Sequence, residues 1–464
     1  MADKKDEKKK NNAESSPAGG TSYVDILKAK LLEETAKKQG KTVEQLKAEN
    51  EEKEKALKKP ETIEPEWKES IKNESRSNKK ESKDQKEKKE GSLTKRLLII
   101  GLSIVMAIVL VVGGYFAFLQ LSFSRIEDSR YVKINSNQSN RVVLGNSYSI
   151  STFNIGFGAY SQTFSFFMDE GETMDGVKTK GKNARAFSED DVKNNTNGAI
   201  NLVKGANESD FYFFQEVDTS STRSYFVDQQ KMIQDSFVGY ASAFSVNAHS
   251  PYMFYPLSEP IGKMNSGIMT LSRYNMDYSI RRSLEISNGM LDKLFDLDRC
   301  FMVSKLPISG APDKYLVLVN VHFSAYDDGD IRTKQIATLY DYINYERNTN
   351  GNYVIVGGDF NLLLAGEAGL YNNNMKTPGW CQSLPEGYKA ENFNAIGFNL
   401  NYDLSTTIGT CRDSSVRYVE GINLEVVIDG FITSDNITVK RTTVIDGEFK
   451  NSDHNPVRME FILG

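Results

Sequence analysis

Cysteine and histidine are scarce in this chain, at three residues of each type in 464. Cys300, Cys381 and Cys411 are too few, and odd in number, to frame a disulfide-built scaffold. Cys381 and Cys411 could pair only in an oxidising compartment, and Cys300, within Cys-Phe-Met-Val, reads as a small core residue. Scattered thiols and few imidazoles argue against a zinc centre, which wants several nitrogen or sulfur ligands. No Gly-x-Ser-x-Gly elbow is present, and the one Gly-Lys-Thr, at Gly40, has Thr35 where a phosphate loop needs its first glycine. Both absences weaken acyl-transfer and nucleoside-triphosphatase readings. Positive charge is not in excess either, since the net charge is −5.

That charge is unevenly spread. Residues 1–96 carry 26 Lys+Arg against 21 Asp+Glu, a net of +5; the remainder carries 31 against 41, a net of −10. An acidic main portion lacks the global electrostatic footprint of a nucleic-acid binder, although a local basic groove remains open. Residues 1–96 read as a charged cytoplasmic segment, largely disordered. Short helices are expected near 22–58, from Tyr23, Ile26, Leu27, Leu31 and Leu32 and again after Gly40. Residues 60–92 read as a linker.

Leu97 to Leu119 contains neither charge nor proline. Its 23 residues suffice to cross a bilayer as a helix. The run is too long and too far from the N-terminus for a cleaved signal peptide. We therefore expect a transmembrane helix over 97–120, followed by a juxtamembrane connector over 121–146. Lys83, Lys86, Lys88, Lys89, Lys95 and Arg96 precede the run, against Arg125, Arg130 and Lys133 after it. The asymmetry predicts a single-pass protein of the cell membrane, with a cytoplasmic N-terminus and the domain 147–464 outside.

In that domain the texture changes. Apolar runs predict strands over 149–155, 211–217, 265–273, 299–306, 315–322, 353–359, 425–432 and 457–462, with helices over 188–204 and 331–347. Several consecutive strands between helices suit an α/β sandwich better than strict β-α-β winding. No internal repeat is visible. The run Tyr353-Val-Ile-Val-Gly-Gly-Asp-Phe-Asn361 is a buried strand that two glycines end, with Asp359 and Asn361 pointing the same way. Taken alone it could be a turn. Polar residues, however, close many of the apolar runs: Asn154, Glu216, His322, Asp359, Asn361, Asp429, Asp453 and His454. A core strand gains nothing by ending in a charge; a site at one rim of a sheet needs it. Such a set suits phosphoester hydrolysis. Mg²⁺ takes oxygen ligands and keeps several waters, so one or two carboxylates suffice. An aspartate can orient and deprotonate water, and a histidine held by a second aspartate can serve a phosphoryl oxygen.

The motifs Thr152-Phe-Asn154-Ile, Phe214-Gln-Glu216-Val, Gly267-Ile-Met-Thr-Leu-Ser-Arg273, Val319-Asn-Val-His322-Phe, Gly357-Gly-Asp359-Phe-Asn361, Val427-Ile-Asp429-Gly-Phe and Ser452-Asp453-His454-Asn-Pro456 together resemble the endonuclease/exonuclease/phosphatase superfamily, the deoxyribonuclease I-like fold. The resemblance covers about 147 to the C-terminus. It implies an α/β, four-layered α-β-β-α sandwich of two packed, mostly antiparallel sheets flanked by helices. It implies metal ligation by Glu216, with Asn154 and Asp453, by Mg²⁺ or alternatively Mn²⁺ or Ca²⁺. Asp359 would activate water, Asn361 would hold the phosphoryl group, and His454, positioned by Asp429, would contact the scissile phosphate. His322 stands where phosphodiesterase, sphingomyelinase and inositol-phosphatase branches carry histidine. Arg223 and Arg273, with Arg281 and Arg282, are candidates for substrate phosphate contacts. The segments 156–187 and 362–424 are long for the family. Tyr160, Phe164, Phe166, Phe167 and Tyr225 near the entrance could stack a base, meet lipid or form loop core. The expected partners are a phosphoester substrate, nucleic acid or phospholipid, and the membrane through one helix; no obligate protein partner is inferred. A sphingomyelinase- or inositol-phosphatase-like lipid phosphoesterase and a non-catalytic binding module on the same fold are the alternatives.

Overall fold

The computed structural model describes residues 81–464, apart from 288–297, 327–328 and 373, together with positions 42, 44, 45 and 48. Most of the disorder expected over 1–96 and most of the helices near 22–58 lie outside the described residues. At the four N-terminal positions, Gln45 N–H donates to Thr42 Oγ1 at 3.3 Å and Thr42 N–H to Gln45 Oε1 at 2.9 Å, the reciprocal bonds of a helix start. The chain divides into two units, 1–66 with 173–177 and 67–172 with 178–464. Both large sheets belong to the second unit.

Helix α1 spans Glu81–Ser122. Its first turns fall in the stretch read as a linker, so that reading is corrected: Glu and Lys are good helix formers and continue the apolar helix backwards. Lys95–Ser122 is long and apolar enough to cross a membrane. In chain order come β1 (Arg130–Val132), β2 (Ile134–Asn135), β3 (Ser147–Asn154), α2 (Glu189–Gly205), β4 (Phe211–Asp218), α3 (Gln229–Ser236), β5 (Ala241–Met253), β6 (Gly262–Ser272) and β7 (Tyr278–Ser283). They are followed by β8 (Cys300–Ser309), β9 (Tyr315–His322), α4 (Asp330–Asn344), β10 (Tyr353–Asp359), β11 (Phe398–Asn401), β12 (Asp429–Ser434), β13 (Ile437–Val444) and β14 (Val457–Leu463).

One sheet runs β2-β5-β6-β4-β3-β14-β13, the other β1-β7-β8-β9-β10-β12-β11. Each has a single parallel pair among these strands, β3 with β4 and β9 with β10, flanked by antiparallel neighbours. The sheets share a core in which Ile150, Phe211, Phe213 and Ile268 of the first meet Met302, Leu316, Ile355 and Phe431 of the second. Ala199, Ile200 and Val203 of α2 and Ile233 of α3 cover the outer face of the first sheet. Ile336, Leu339 and Ile343 of α4 cover that of the second. The architecture is the four-layered α-β-β-α sandwich.

Three differences stand out. The 13-residue β5, Ala-Ser-Ala-Phe-Ser-Val-Asn-Ala-His-Ser-Pro-Tyr-Met, carries small and polar residues that hide it from an apolar scan. Glu425–Ile432 is not one strand: Glu425–Val426 pairs in a small three-stranded sheet, and β12 begins at Asp429. Cys300, Cys381 and Cys411 are all free and buried, so no disulfide joins Cys381 and Cys411.

Candidate active site

The topology gathers the polar strand ends. Parallel β3 and β4 finish at the same rim, as do β9 and β10, and the antiparallel β12 and β14 begin there. Asn154, His322 and Asp359 are therefore last residues of strands, Asp429 is a first residue, and His454 lies just before β14. Register sets their spacing: His322 is the ladder partner of Asp359, and Asp359 of Asp429.

Glu216 reaches the rim by a different device. The β4–β6 ladder slips between Phe214 and Val217, and Glu216 there has φ 54°. A left-handed, non-glycine residue at a bulge is uncommon and re-aims its side chain. Asn361, at φ 49°, is a second such residue immediately after β10. Strained backbone of this kind concentrates at functional sites.

Asp359 sits at the centre. Asn361 N–H donates to its Oδ1 at 2.8 Å, and Asn154 Nδ2 donates to its Oδ2 at 3.0 Å. Two imidazoles flank Oδ2, His322 Nε2 at 3.6 Å and His454 Nε2 at 3.7 Å. Burial pushes the Asp359 carboxyl up to about 6, against the lowering effect of His454. The histidines differ in state. Arg299 Nη1 lies 3.2 Å from His322 Nδ1; guanidinium only donates, so Nδ1 accepts and the proton sits on Nε2, facing Asp359. Burial and then the Arg299 charge hold His322 well below its ordinary value, in the neutral form. Burial opposes charge on His454 too, but Asp429, 2.8 Å from its Nδ1, prevails and holds it well above its ordinary value. One imidazole is thus neutral and the other an imidazolium.

The oxygen donors for a cation lie beside this group. Asn154 Nδ2 is 3.4 Å from Glu216 Oε1. Ser452 Oγ donates to the Asn154 carbonyl at 2.7 Å and ties the loop of Asp453 to β3. Burial, with Glu216 among the nearby charges, pushes the Asp453 carboxyl up to about 7. A buried carboxyl that resists losing its proton is a setting a hard cation relieves. Glu216 and Asp453 therefore offer carboxylate oxygens to a Mg²⁺-like ion, but the expected ligation by Asn154 is a correction: its Nδ2 faces Glu216 and Asp359, and its Oδ1 accepts from Gly156 N–H at 3.0 Å. Cysteine enters only through Cys411, whose thiol burial pushes up and away from thiolate.

A cavity of about 500 Å³ opens on these residues and includes Glu216, His322, Asp359, Asn361, Asp453 and His454. Of the arginine candidates only Arg223 lines it. Its guanidinium bonds Asp218 at 2.9 and 3.0 Å, approaches Glu216 at 3.6 Å and covers the Phe157 ring at 3.8 Å. Arg273 is a correction. It follows β6, which runs antiparallel to β4, so it emerges at the opposite rim, where it pairs with Glu208 and Tyr240. Arg281 is buried against the Asp298 carbonyl and Ser283, and Arg282 pairs with Asp128. Tyr160, Phe164, Phe166 and Phe167 are buried in one aromatic cluster, with Tyr225 packed against it. Tyr160 and Phe166 also form cavity wall.

Sequence reasoning missed Arg299, and with it the tautomer of His322. It also missed Asp169, which the long 156–187 segment brings to the cavity wall, where Ser414 Oγ donates to it at 2.6 Å and Tyr326 Oη at 2.5 Å. Behind the site, Gln215 Nε2 donates to Asn320 Oδ1 at 2.8 Å, and Asn320 Nδ2 to the Met269 carbonyl at 2.9 Å. This buried amide pair joins the two sheets; both residues sit one or two positions from a motif polar residue, the only signal that could have found them.

Residues 151–454 match the model of the Endonuclease/Exonuclease/phosphatase family. No curated protein matches the chain. An endonuclease/exonuclease/phosphatase of Beutenbergia cavernae is 13% identical, over 68% of this chain and 72% of its own, with a TM-score of 0.44. The human Nocturnin catalytic domain with bound sulfate anion is 14% identical, over 72% and 98%, at 0.42. An endonuclease/exonuclease/phosphatase of Bacteroides vulgatus is 15% identical, over 69% and 100%, also at 0.42.

Proposed function

The chain belongs to the endonuclease/exonuclease/phosphatase family, and from that membership we propose that it is a divalent-metal-dependent phosphoester hydrolase, tethered to the cell membrane by one span over 97–120 with its N-terminus cytoplasmic. The observation that carries the reading is the convergence of Glu216, His322, Asp359 and His454, distant in sequence, on one cavity, with Asp429 behind His454.

Glu216 and Asp453 would hold the cation, preferably Mg²⁺ since both offer carboxylate oxygen, with the Asn154 amide steadying Glu216; when bound it would supply neutralising charge at the phosphoryl oxygens. Asp359 takes a proton from the attacking water as the water oxygen bonds to phosphorus and the ester oxygen departs on the far side. Its position is set by Asn361 and Asn154, so little reorganisation accompanies attack. His454, kept cationic by Asp429, donates Nε2–H to a non-bridging phosphoryl oxygen, and Asn361 lies beside it in the same wall. His322, neutral with its proton on Nε2, adds a second donor without adding charge. Arg223 lies 3.6 Å from Glu216.

The full-length chain, purified in detergent with Mg²⁺, should hydrolyse at least one of DNA, RNA, a phospholipid and an inositol phosphate, and chelation should abolish turnover. Unchanged hydrolysis in an Asp359→Asn, His454→Ala double variant would remove the catalytic assignment, and no hydrolysis of any of the four by the parent chain would leave a binding module.

A further inference from the structure

The apolar helix does not leave the second unit untouched. Taking Leu97 as the inner boundary, about 20 residues of helix fill about 30 Å of hydrocarbon, which places Tyr115 and Phe116 at the outer boundary. Yet Leu119 is 3% exposed. It packs in the aromatic cluster with Phe157, Tyr160, Phe166, Met253 and Ile261, and Tyr115 packs against the same cluster. The loop after β5 bonds directly to Tyr115: Phe254 N–H donates to its hydroxyl at 3.1 Å, and that hydroxyl lies 3.3 Å from the Tyr252 carbonyl. The Phe254 ring meets the Tyr115 ring edge-on at 5.3 Å.

This loop is apolar on its outside. Phe254 is 52% exposed, Tyr255 57% and Leu257 86%. Phe118, on the last turns of α1, and Phe187 are also exposed; Phe187 meets Phe164 of the same cluster at 5.6 Å. Exposed large apolar groups collected in one place mark a surface that something covers. A loop bonded to a residue at the outer boundary of the span stands at the depth of the lipid head groups, where Tyr and Phe are well accommodated.

We propose that the segment Tyr252–Leu257, with Phe118 and Phe187, docks into the outer interface of the same bilayer that α1 crosses. The inference rests on the single-span reading above. The docked loop is also a wall of the catalytic cavity. Alternation along the chain turns Tyr252 and Phe254 outward and Met253 inward, and Met253 lines the cavity with Ile261. Docking therefore holds one wall of the cavity against the lipid surface.

The test uses the full-length chain in phosphatidylcholine vesicles, with single cysteines introduced by Leu257→Cys, Val109→Cys and Lys440→Cys and labelled with an environment-sensitive fluorophore. The native cysteines are buried, so the parent chain is the blank. Leu257 and Lys440 are exposed and tolerate the change, and Lys440 lies on the edge strand β13, at the far end of its sheet from β2 and β5. We expect blue-shifted emission and quenching by head-group-proximal spin-labelled lipid at position 257, quenching by chain-labelled lipid at 109, and neither at 440. Quenching at 109 with none at 257 would overturn the docking and leave the span standing. Absence of quenching at 109 would remove the span and the docking together.

Discussion

The two sheets carry the same order of pairings around one central parallel pair, yet they contribute different chemistry to the rim they share. The first sheet brings Glu216, an oxygen donor suited to a cation, through a bulge where that glutamate is left-handed, and Asn154 as the last residue of β3. The second brings His322, Asp359 and Asp429, groups suited to moving or holding a proton, and spaces them by plain ladder register. A duplicated framework thus leaves its two halves free to specialise, because strand ends face the site while the pairings behind them stay alike. Asn154 crosses the division: its amide donates to Asp359 in the other sheet.

The comparison breaks most sharply at the second sheet. Asp359→Asn keeps the shape and removes the base, so the proposed turnover should fall by about 10²–10⁴-fold, read as kcat with thermal stability as the control. A fall in stability of equal weight would show Asp359 to be structural instead. At the first sheet, Glu216→Gln should act on the cation. Saturating Mg²⁺ should stabilise the parent chain by about 2.7 kcal/mol at a hundred times Kd, measured by thermal unfolding, and the variant should lose most of that shift. The link between the sheets is probed by Asn320→Leu, which takes one of the two acceptors of Gln215 Nε2 and leaves Thr152 Oγ1 as the other; about 1–3 kcal/mol of stability should go. A loss in the Asn320→Leu, Gln215→Leu double variant smaller than the sum of the two single losses would confirm that the pair acts as a unit.

Two pH effects sharpen the contrast further. In the proposed reaction Asp359 works ionised, so turnover should decline on acidification, with a midpoint at or below about 6, since a bound cation favours the carboxylate. Far from the rim, burial opposes charge on Glu346, but bonds from Lys305, Asn350 and Asn352 outweigh it and hold the carboxyl below its ordinary 4.5. That contribution is whole above 4.5 and is lost as pH falls through the lower folded value. Denaturation midpoints should therefore show an acid loss that Glu346→Gln removes.

Much of the fold was legible because burial leaves periodic marks. Apolar runs located β3, β4, β9, β10 and β14, and their polar last residues located the rim. The signal failed where a strand is built of small and polar residues, as in β5, and where a kink divides one run between two sheets, as at Val427–Ile428. Arg223 and Arg273 show the sharper limit. Both follow or adjoin motif strands, but strand direction sends one to the cavity and the other to the opposite rim.

Side-chain pattern along the chain was enough for the local states: which segments are extended, which helix is apolar enough for a membrane, and which strands end in groups able to handle a proton or a cation. Each of these is a property of neighbours. Long-range contact alone settled that Arg299 sets the His322 tautomer, that Asp429 keeps His454 charged, that Glu216 turns inward through a bulge, and that the loop after β5 meets Tyr115. Those depend on residues brought together by strand direction, register and packing, and no local period encodes a meeting of that kind.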